Sequence, residues 1–264
     1  MSNKAQRRLF YGFEVKAPWP DSFPEGRLIK PQHRHITIAF LGNVKQSMIN
    51  SLTQQAPTPH FKISPVGIFV APLFLPLENP RVVAWEGTLP EDSLTPYHDA
   101  LTSFLKTLGF TFSNRKLLNH TTLARSPFKQ NEWTQAFVPL PFIAGDLHLY
   151  ESLGNLTYQP IWTHPIAPPF EEFEHVADIA FRVRGKNVQQ LYIHAQFALA
   201  FECTELLSFL DLQSTVNTLD DVIIKLNEVI TRCDQKIGTP FKAVSFHGDL
   251  IDEDVLTWEM IVDV

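Results

Sequence analysis

Short runs of alternating apolar and polar residues recur through the first part of the chain and predict β-strands. Two segments between them, 45–55 and 96–108, repeat apolar residues at helical spacing instead. The elements lack the regular rhythm of a parallel doubly wound sheet, and no glycine-rich phosphate loop is present. An α+β fold is therefore predicted. The predicted strands lie at 10–15, 35–40, 63–69, 82–87, the run that begins at His120, and 147–153.

The last third of the chain predicts a smaller α+β unit. A strand at 180–183 turns at Gly185, and Asn187 is the expected N-cap of a long helix through Leu207. Val188, Leu191, Ala195 and Leu199 are predicted to lie on one apolar face of this helix. Thr218 and Asp221 approximate a capping box with aspartate in place of glutamate, so a second helix is expected to begin there. Strands are then predicted at 241–246 and 257–262.

Composition changes sharply near residues 165–169. Of 20 prolines, 19 lie at or before Pro169, whereas both cysteines, Cys203 and Cys233, follow it. Residues 1–167 contain 15 lysines and arginines against 11 acidic residues, and residues 168–264 contain 7 against 17. We therefore predict two domains, 1–167 and 168–264. A mildly basic first domain suits a polyanionic substrate, and an acidic second domain suits a metal ion or a basic partner.

Neither the N-terminus nor the rest of the sequence predicts export or membrane insertion. No run approaches the ~18 consecutive apolar residues of a membrane span, and no signal-peptide pattern follows the first residues. The two cysteines show neither a disulfide framework nor a zinc-ligand pattern. A cytoplasmic protein without membrane contact is expected.

Two tetrads carry the candidate chemistry: His35-Ile36-Thr37-Ile38 and His120-Thr121-Thr122-Leu123. Residues two apart on a strand point to the same face, so each tetrad places an imidazole beside a hydroxyl. Two imidazoles suit acid–base chemistry near neutral pH, because one can accept a proton while the other donates one. Neighbouring hydroxyls can hydrogen-bond phosphate oxygens. The pattern therefore predicts phosphodiester hydrolysis without a metal cofactor.

Two other interpretations compete with this one. A strand histidine among aliphatic residues is more often structural than catalytic, but two copies 85 residues apart favour function. Metal binding is disfavoured because neither tetrad has an adjacent carboxylate or cysteine, and threonine is a poor divalent ligand. Five histidines outside the tetrads are interpreted as surface or structural residues: His33, His60, His98, His148 and His164.

The tetrads and their flanks resemble the two signatures of the two-histidine phosphoesterases of the bacterial 2′-5′ RNA ligase type. The runs Arg34-His35-Ile36-Thr37-Ile38-Ala39-Phe40-Leu41-Gly42-Asn43-Val44 and Asn119-His120-Thr121-Thr122-Leu123-Ala124-Arg125 carry the resemblance. Further similarity lies in Arg8-Leu9-Phe10-Tyr11-Gly12-Phe13, Arg81-Val82-Val83-Ala84-Trp85 and Leu147-His148-Leu149-Tyr150-Glu151-Ser152. It covers roughly residues 7 to 162. The resemblance implies two lobes, each an antiparallel sheet with helices outside, that face each other across a cleft.

The same resemblance implies an RNA end bearing a 2′,3′-cyclic phosphate as substrate and a 2′-phosphate as product. His35 and His120 would be the catalytic acid and base, in an order that the sequence leaves open. Thr37 and Thr122 would hold phosphate oxygens. Arg125 is a candidate to neutralise phosphate charge, with an exposed structural arginine as the alternative.

Residues 171 to 264 carry a second resemblance, to archease, the activator of the GTP-dependent RNA-splicing ligase. It rests on Glu174-His175-Val176-Ala177-Asp178-Ile179, on Gly238-Thr239-Pro240-Phe241-Lys242-Ala243-Val244-Ser245-Phe246-His247-Gly248 and on Ile261-Val262-Asp263-Val264. The resemblance implies a calcium or magnesium site at Asp178, Asp263 and the carboxylate of Val264, with Glu205 as another functional acid. Ordinary strand-end carboxylates are the alternative.

The archease resemblance has two departures: Val176 replaces the family's threonine, and the stretch between the two helices is shortened to little more than residues 212–218. These departures leave open whether the domain activates a ligase. The first hypothesis is an RNA-end hydrolase with an appended regulatory domain. The alternatives are a non-catalytic RNA-end binder that activates a ligase, and a 2′-5′ RNA ligase or small-nucleotide phosphodiesterase that uses the same residues.

Overall fold

The computed structural model describes residues 6–113, 116–174, 178–245 and 250–264. The strands in these ranges are β1 (Arg7–Lys16), β2 (Arg27–Leu28), β3 (His35–Val44), β4 (Val66–Leu75), β5 (Val82–Thr88), β6 (His120–Arg125), β7 (Leu140–Gly154), β8 (Thr157–His164), β9 (Phe170–Phe173), β10 (Ile179–Gly185), β11 (Ala243–Ser245), β12 (Leu250–Asp252) and β13 (Leu256–Asp263). The α-helices are α1 (Ile49–Gln54), α2 (Leu94–Thr107), α3 (Gln130–Gln135), α4 (Val188–Glu202) and α5 (Leu219–Ile237). Short 3-10 helices lie at Pro31–His33, Gln46–Met48 and Thr204–Phe209.

The first eight strands form one antiparallel sheet in the order β1-β3-β6-β5-β4-β7-β8, with β2 paired to β6. Because β1 also pairs with β7, six of these strands close into a ring. The two predicted lobes are thus halves of one hydrogen-bonded sheet. One seam between the halves is the β4–β7 pairing, and the other is a single residue pair between β3 and β6.

The second sheet has the order β11-β13-β10-β9, with β12 paired to β13, and is also antiparallel. Its helix α5 begins at the predicted capping box, in which Thr218 and Asp221 each accept from the other's backbone N–H. The helix predicted through Leu207 ends earlier, at Glu202, and a 3-10 helix follows. No helix within the described ranges is long and apolar enough to cross a membrane.

Helix α4 is buried on all sides, whereas the sequence pattern predicted one apolar face. Residues 191–200 are all buried. The reason is that α4 packs on the second sheet and also on the first, whose Val66 and Ile143 belong to the same apolar core. The first and second sheets are therefore joined through shared apolar packing.

The β4–β7 seam depends on the close approach of strand backbones to one aromatic ring. Phe142 of β7 lies against Gly67 of β4 and Gly87 of β5, and its ring stacks on Phe69 at 4.6 Å between centroids. A Cβ at Gly87 would lie 2.7 Å from Cε1 of Phe142, closer than atoms pack. The two glycines thus make room for the ring that fills the seam.

We expect Gly87→Ala to lower the free energy of unfolding by about 1–3 kcal/mol, the usual cost of overpacking a core. Urea denaturation measures this change. A Gly87→Ala/Phe142→Leu double variant removes the ring that the new Cβ would meet. Its loss in free energy of unfolding should therefore be smaller than the sum of the losses in the two single variants. Full stability of Gly87→Ala would contradict the packing described.

Candidate active site

The two tetrads meet at the seam between β3 and β6. Ile36 pairs with Thr121, and both side chains are fully buried on the core face of the sheet. Since neighbouring side chains on a strand point to opposite faces, His35, Thr37, His120 and Thr122 share the other face. His35 and Thr37 flank Ile36 on β3, and His120 and Thr122 flank Thr121 on β6, so this single pair places the four side chains at one seam. The structure thus brings together all four predicted tetrad residues.

Both histidines are held in the same way by the carbonyl two residues earlier. His35 Nδ1 lies 2.7 Å from the His33 carbonyl oxygen, and His120 Nδ1 lies 2.8 Å from the Leu118 carbonyl oxygen. A carbonyl oxygen only accepts, so each Nδ1 carries the proton and donates it. In the neutral form, each Nε2 is then an open proton acceptor that is available to a substrate.

The two rings differ in burial. His35 is 8% exposed and His120 is half-buried. Burial lowers the pKa of His35 to about 4; its hydrogen bond to the His33 carbonyl opposes this shift, and the charge of His120 adds to it. His35 is therefore neutral at pH 7 in the unliganded protein, and it lies within electrostatic range of His120.

An aromatic wall packs against the His35 ring. The ring centroid lies 4.7 Å from Phe10, 4.9 Å from Tyr158 and 5.4 Å from Tyr150. Next to Phe10 lies Phe40, which is 64% exposed. The wall fixes the orientation of the imidazole and leaves an exposed aromatic surface close to it. Sequence analysis did not assign these side chains to the site.

Arg125 reaches the same face because of a β-bulge. Ala84 pairs with Thr122 and Val83 with Ala124, so Leu123 is an extra residue in β6. Such a bulge shifts the alternation by one position, which explains why Leu123 and Ala124 are both fully buried. Arg125 then points to the side of Thr122, and its charge contributes to lowering the pKa of His35.

Two further arginines flank Arg125 and were missed by the sequence analysis. Arg27 of β2 pairs directly with Arg125, and the Arg81 carbonyl accepts a hydrogen bond from the Ser126 N–H at 3.0 Å. None of the three arginines forms an ion pair within the part of the chain that the structure describes. Arg81 directly precedes the strand predicted at 82–87, whereas no predicted strand lies next to Arg27.

A glutamate lies across the strand from each histidine, and neither was predicted. Glu14 pairs with His35, and Glu86 pairs with His120. The Glu14 carboxylate forms an ion pair with Lys16 Nζ at 2.8 Å. His148, interpreted from sequence as surface or structural, is 8% exposed, and its Nδ1 lies 2.8 Å from Thr163 Oγ1.

The predicted metal site of the second sheet is only partly described. Ile179 pairs with Val262, which places Asp178 and Asp263 at the same end of β10 and β13. Glu205 lies in the 3-10 helix after α4, where it accepts from Cys203 Sγ at 3.5 Å. Lys242 Nζ lies 2.5 Å from the backbone oxygen of Val264.

Residues 175–177 and 246–249 of the archease-like runs lie outside the described ranges. Among the described residues, no group of three or more histidine, cysteine, aspartate or glutamate side chains could hold a metal ion. The calcium or magnesium site and the ligase partner therefore stay predictions.

Several solved structures are similar to this chain. The crystal structure of E. coli LigT complexed with 3′-AMP is 20% identical, with a TM-score of 0.47, and the match covers 61% of this chain and 99% of that chain. A crystal structure named phosphoesterase is 20% identical, with a TM-score of 0.43, and covers 62% and 99%. TT0787 of Thermus thermophilus is 16% identical, with a TM-score of 0.45, and covers 61% and 98%. No family model and no curated protein matches the chain.

Removing the His120 charge should raise the pKa of His35. In the parent protein an NMR titration of the imidazole is expected to place this pKa at about 4, below the ordinary value of 6.5. His120→Ala should move it upward, because a like charge that opposes protonation is lost. His164→Ala is the control, since His164 contributes nothing to this shift. An unchanged pKa in His120→Ala would show that the rings are too far apart to share a ligand.

The same shift fixes the sign of the pH dependence of stability. The unfolded chain binds a proton at His35 near pH 6.5 and the folded protein only near pH 4, so stability falls as the pH drops through this window.

Proposed function

We propose that this chain is a phosphodiesterase that opens the 2′,3′-cyclic phosphate at RNA ends and leaves a 2′-phosphate. The observation that carries the proposal is the pairing of the tetrads: one buried residue pair brings two imidazoles with open Nε2 atoms and two hydroxyls to one sheet face. This arrangement suits a phosphate that contacts both strands. The imidazoles can then act on opposite sides of the phosphorus.

The reaction needs one proton accepted and one donated. One Nε2 takes a proton from water as the water oxygen bonds to phosphorus, and the other imidazole, protonated, gives its proton to the departing ribose 3′ oxygen. Thr37 and Thr122 hydrogen-bond the phosphate oxygens. The negative charge of the bound phosphate favours the protonated form of the imidazole that donates.

The donor set of the tetrads favours proton transfer over metal catalysis. Each tetrad supplies one imidazole and one neutral hydroxyl, and a threonine hydroxyl is a weak ligand for a divalent ion compared with a carboxylate. We therefore expect catalysis to continue when divalent cations are chelated.

The arginines favour an RNA strand over a lone small nucleotide. Like charges directly opposite each other destabilise a sheet, and Arg27 faces Arg125 without a carboxylate partner among the described residues. Bound phosphates would offset that repulsion. A row of cations beyond the catalytic pair suits a substrate with more than one phosphate. A non-catalytic RNA-end binder would use the same cations, so turnover decides between the two functions.

We expect His35→Ala and His120→Ala each to lower the rate of cyclic-phosphate hydrolysis by about 10²–10⁴, the usual contribution of a general acid or base. The assay is hydrolysis of an oligoribonucleotide 2′,3′-cyclic phosphate with EDTA present. His98→Ala in α2, where the side chain contacts Asp99, is the matched control and should retain full activity. Activity retained in both tetrad variants would exclude the mechanism, and RNA binding without turnover in the parent would support the binder.

A modified substrate shows, within the same assay, which histidine is the acid and which is the base. A cyclic phosphate with sulfur in place of the 3′ bridging oxygen has a leaving group that needs no proton. Its hydrolysis should be restored in the variant that lacks the acid, and stay slow in the variant that lacks the base.

We expect Arg27→Gln and Arg125→Gln to weaken binding of a cyclic-phosphate oligonucleotide more than binding of a cyclic mononucleotide. Each should reduce the slope of log affinity against log salt by about 0.7, the value for one phosphate contact on a single strand. Lys106→Gln, at the exposed end of α2, is the control. If the affinities of both ligands fell equally, the arginines would contact only the cyclic phosphate and not the further phosphates of the strand.

A further inference from the structure

A pocket lies between the two sheets, apart from the tetrads. A pocket of about 330 Å³ is formed where the segment before β4, the turn before α2 and the first turns of α4 meet. Ile63, Pro65 and Val66 form apolar walls on one side, and Ile193 of α4 forms one on the other. Neither catalytic histidine lines it. Pockets for small organic ligands begin at about this volume.

His194 of α4 lines this pocket and is only 2% exposed. Its Nδ1 lies 2.6 Å from the Arg184 carbonyl oxygen, so Nδ1 carries the proton and donates it. Burial lowers the pKa of the ring to about 4, against the opposing effect of the carbonyl bond. The neutral ring therefore offers Nε2 as an acceptor, and no hydrogen bond among the described residues occupies that atom.

Gln190 adds a donor beside this acceptor. It precedes His194 by four residues, and residues at this spacing are neighbours on one face of a helix. The Gln190 side-chain oxygen already accepts the Lys186 N–H at 2.9 Å, which leaves its NH₂ group for a ligand. The pocket thus presents one donor and one acceptor next to each other among apolar walls.

The charges at the pocket are already paired. Lys186 Nζ lies 2.9 Å from Glu91 Oε2, and Lys62 Nζ lies 3.5 Å from Asp254 Oδ2. Each pair joins residues from the two sides of the pocket. Because the lysines are neutralised by these carboxylates, the pocket suits a neutral ligand better than a phosphate.

We propose that this pocket binds a nucleobase with an exocyclic amine next to a ring nitrogen, the edge that adenine presents, and that it takes the base as a neutral nucleoside. The amine donates to His194 Nε2 and the ring nitrogen accepts from the Gln190 amide. An adjacent amine and ring nitrogen are the groups that a side-chain amide recognises on adenine. The apolar walls cover the base.

Calorimetric titration of the full chain with adenosine tests the proposal. Adenosine should bind at least about tenfold more tightly than purine riboside, which lacks the amine and would leave His194 Nε2 unpaired in a buried site. Ser93→Phe, which fills the pocket from its half-buried edge, should abolish binding. Ser103→Phe, on the exposed face of α2, which follows Ser93, is the matched control and should bind like the parent.

Gln190→Leu provides a second variant should Ser93→Phe fail to fold, and it should weaken adenosine binding at least tenfold. Hydrolysis of the cyclic-phosphate RNA is measured on every variant and should stay unchanged. No adenosine binding, equal binding of adenosine and purine riboside, or unchanged binding in Ser93→Phe or in folded Gln190→Leu would each overturn the proposal. None of these outcomes depends on whether the tetrads hydrolyse RNA.

Discussion

The candidate active site depends on one backbone pair between distant parts of the chain. Ile36 and Thr121 join β3 to β6, and both side chains are fully buried. Burying this pair forces the histidine and threonine on either side of each residue to the opposite face. A slip of one residue on either strand would turn that tetrad toward the core. Fold and site are therefore fixed by the same register.

The seam also carries a cost. The Thr121 hydroxyl is buried without a hydrogen-bond partner in the described structure, and an unsatisfied buried hydroxyl costs about 1–3 kcal/mol. The long pairings of β1 with β3 and of β1 with β7 hold β3 in place from the other side. The short seam is thus supported by the neighbouring strand pairs.

The sequence predicted what is local and missed what depends on distant pairing. The tetrads, their strands and the Thr218 capping box follow from patterns within a few residues. The bulge at Leu123 does not, because it appears only when β6 is aligned with β5, and it decides where Arg125 points. Arg27 was missed for a similar reason: its strand is only two residues long, and its pairing with Arg125 is known only from the structure.

The burial of α4 shows the same limit at a larger scale. Its sequence predicts a helix with one apolar face, yet the first sheet covers a second face through Val66 and Ile143. From sequence, His194 is typical of a core histidine in such a helix. The pocket that it lines is formed only in the folded chain, where residues before β4 supply another wall. A local pattern identifies the helix, but it does not identify what packs on it.

Strand β7 connects these two regions physically. Its first part contributes Ile143 to the core around α4, and Tyr150 further along packs against His35. The ion pairs that cross the pocket are largely exposed and contribute little to holding the sheets together, so apolar packing on β7 is the stronger link. One continuous strand thus supports the second core at one end and the His35 imidazole at the other. The position of His35 is therefore linked through β7 to packing outside the candidate site, including packing that the last third of the chain supplies.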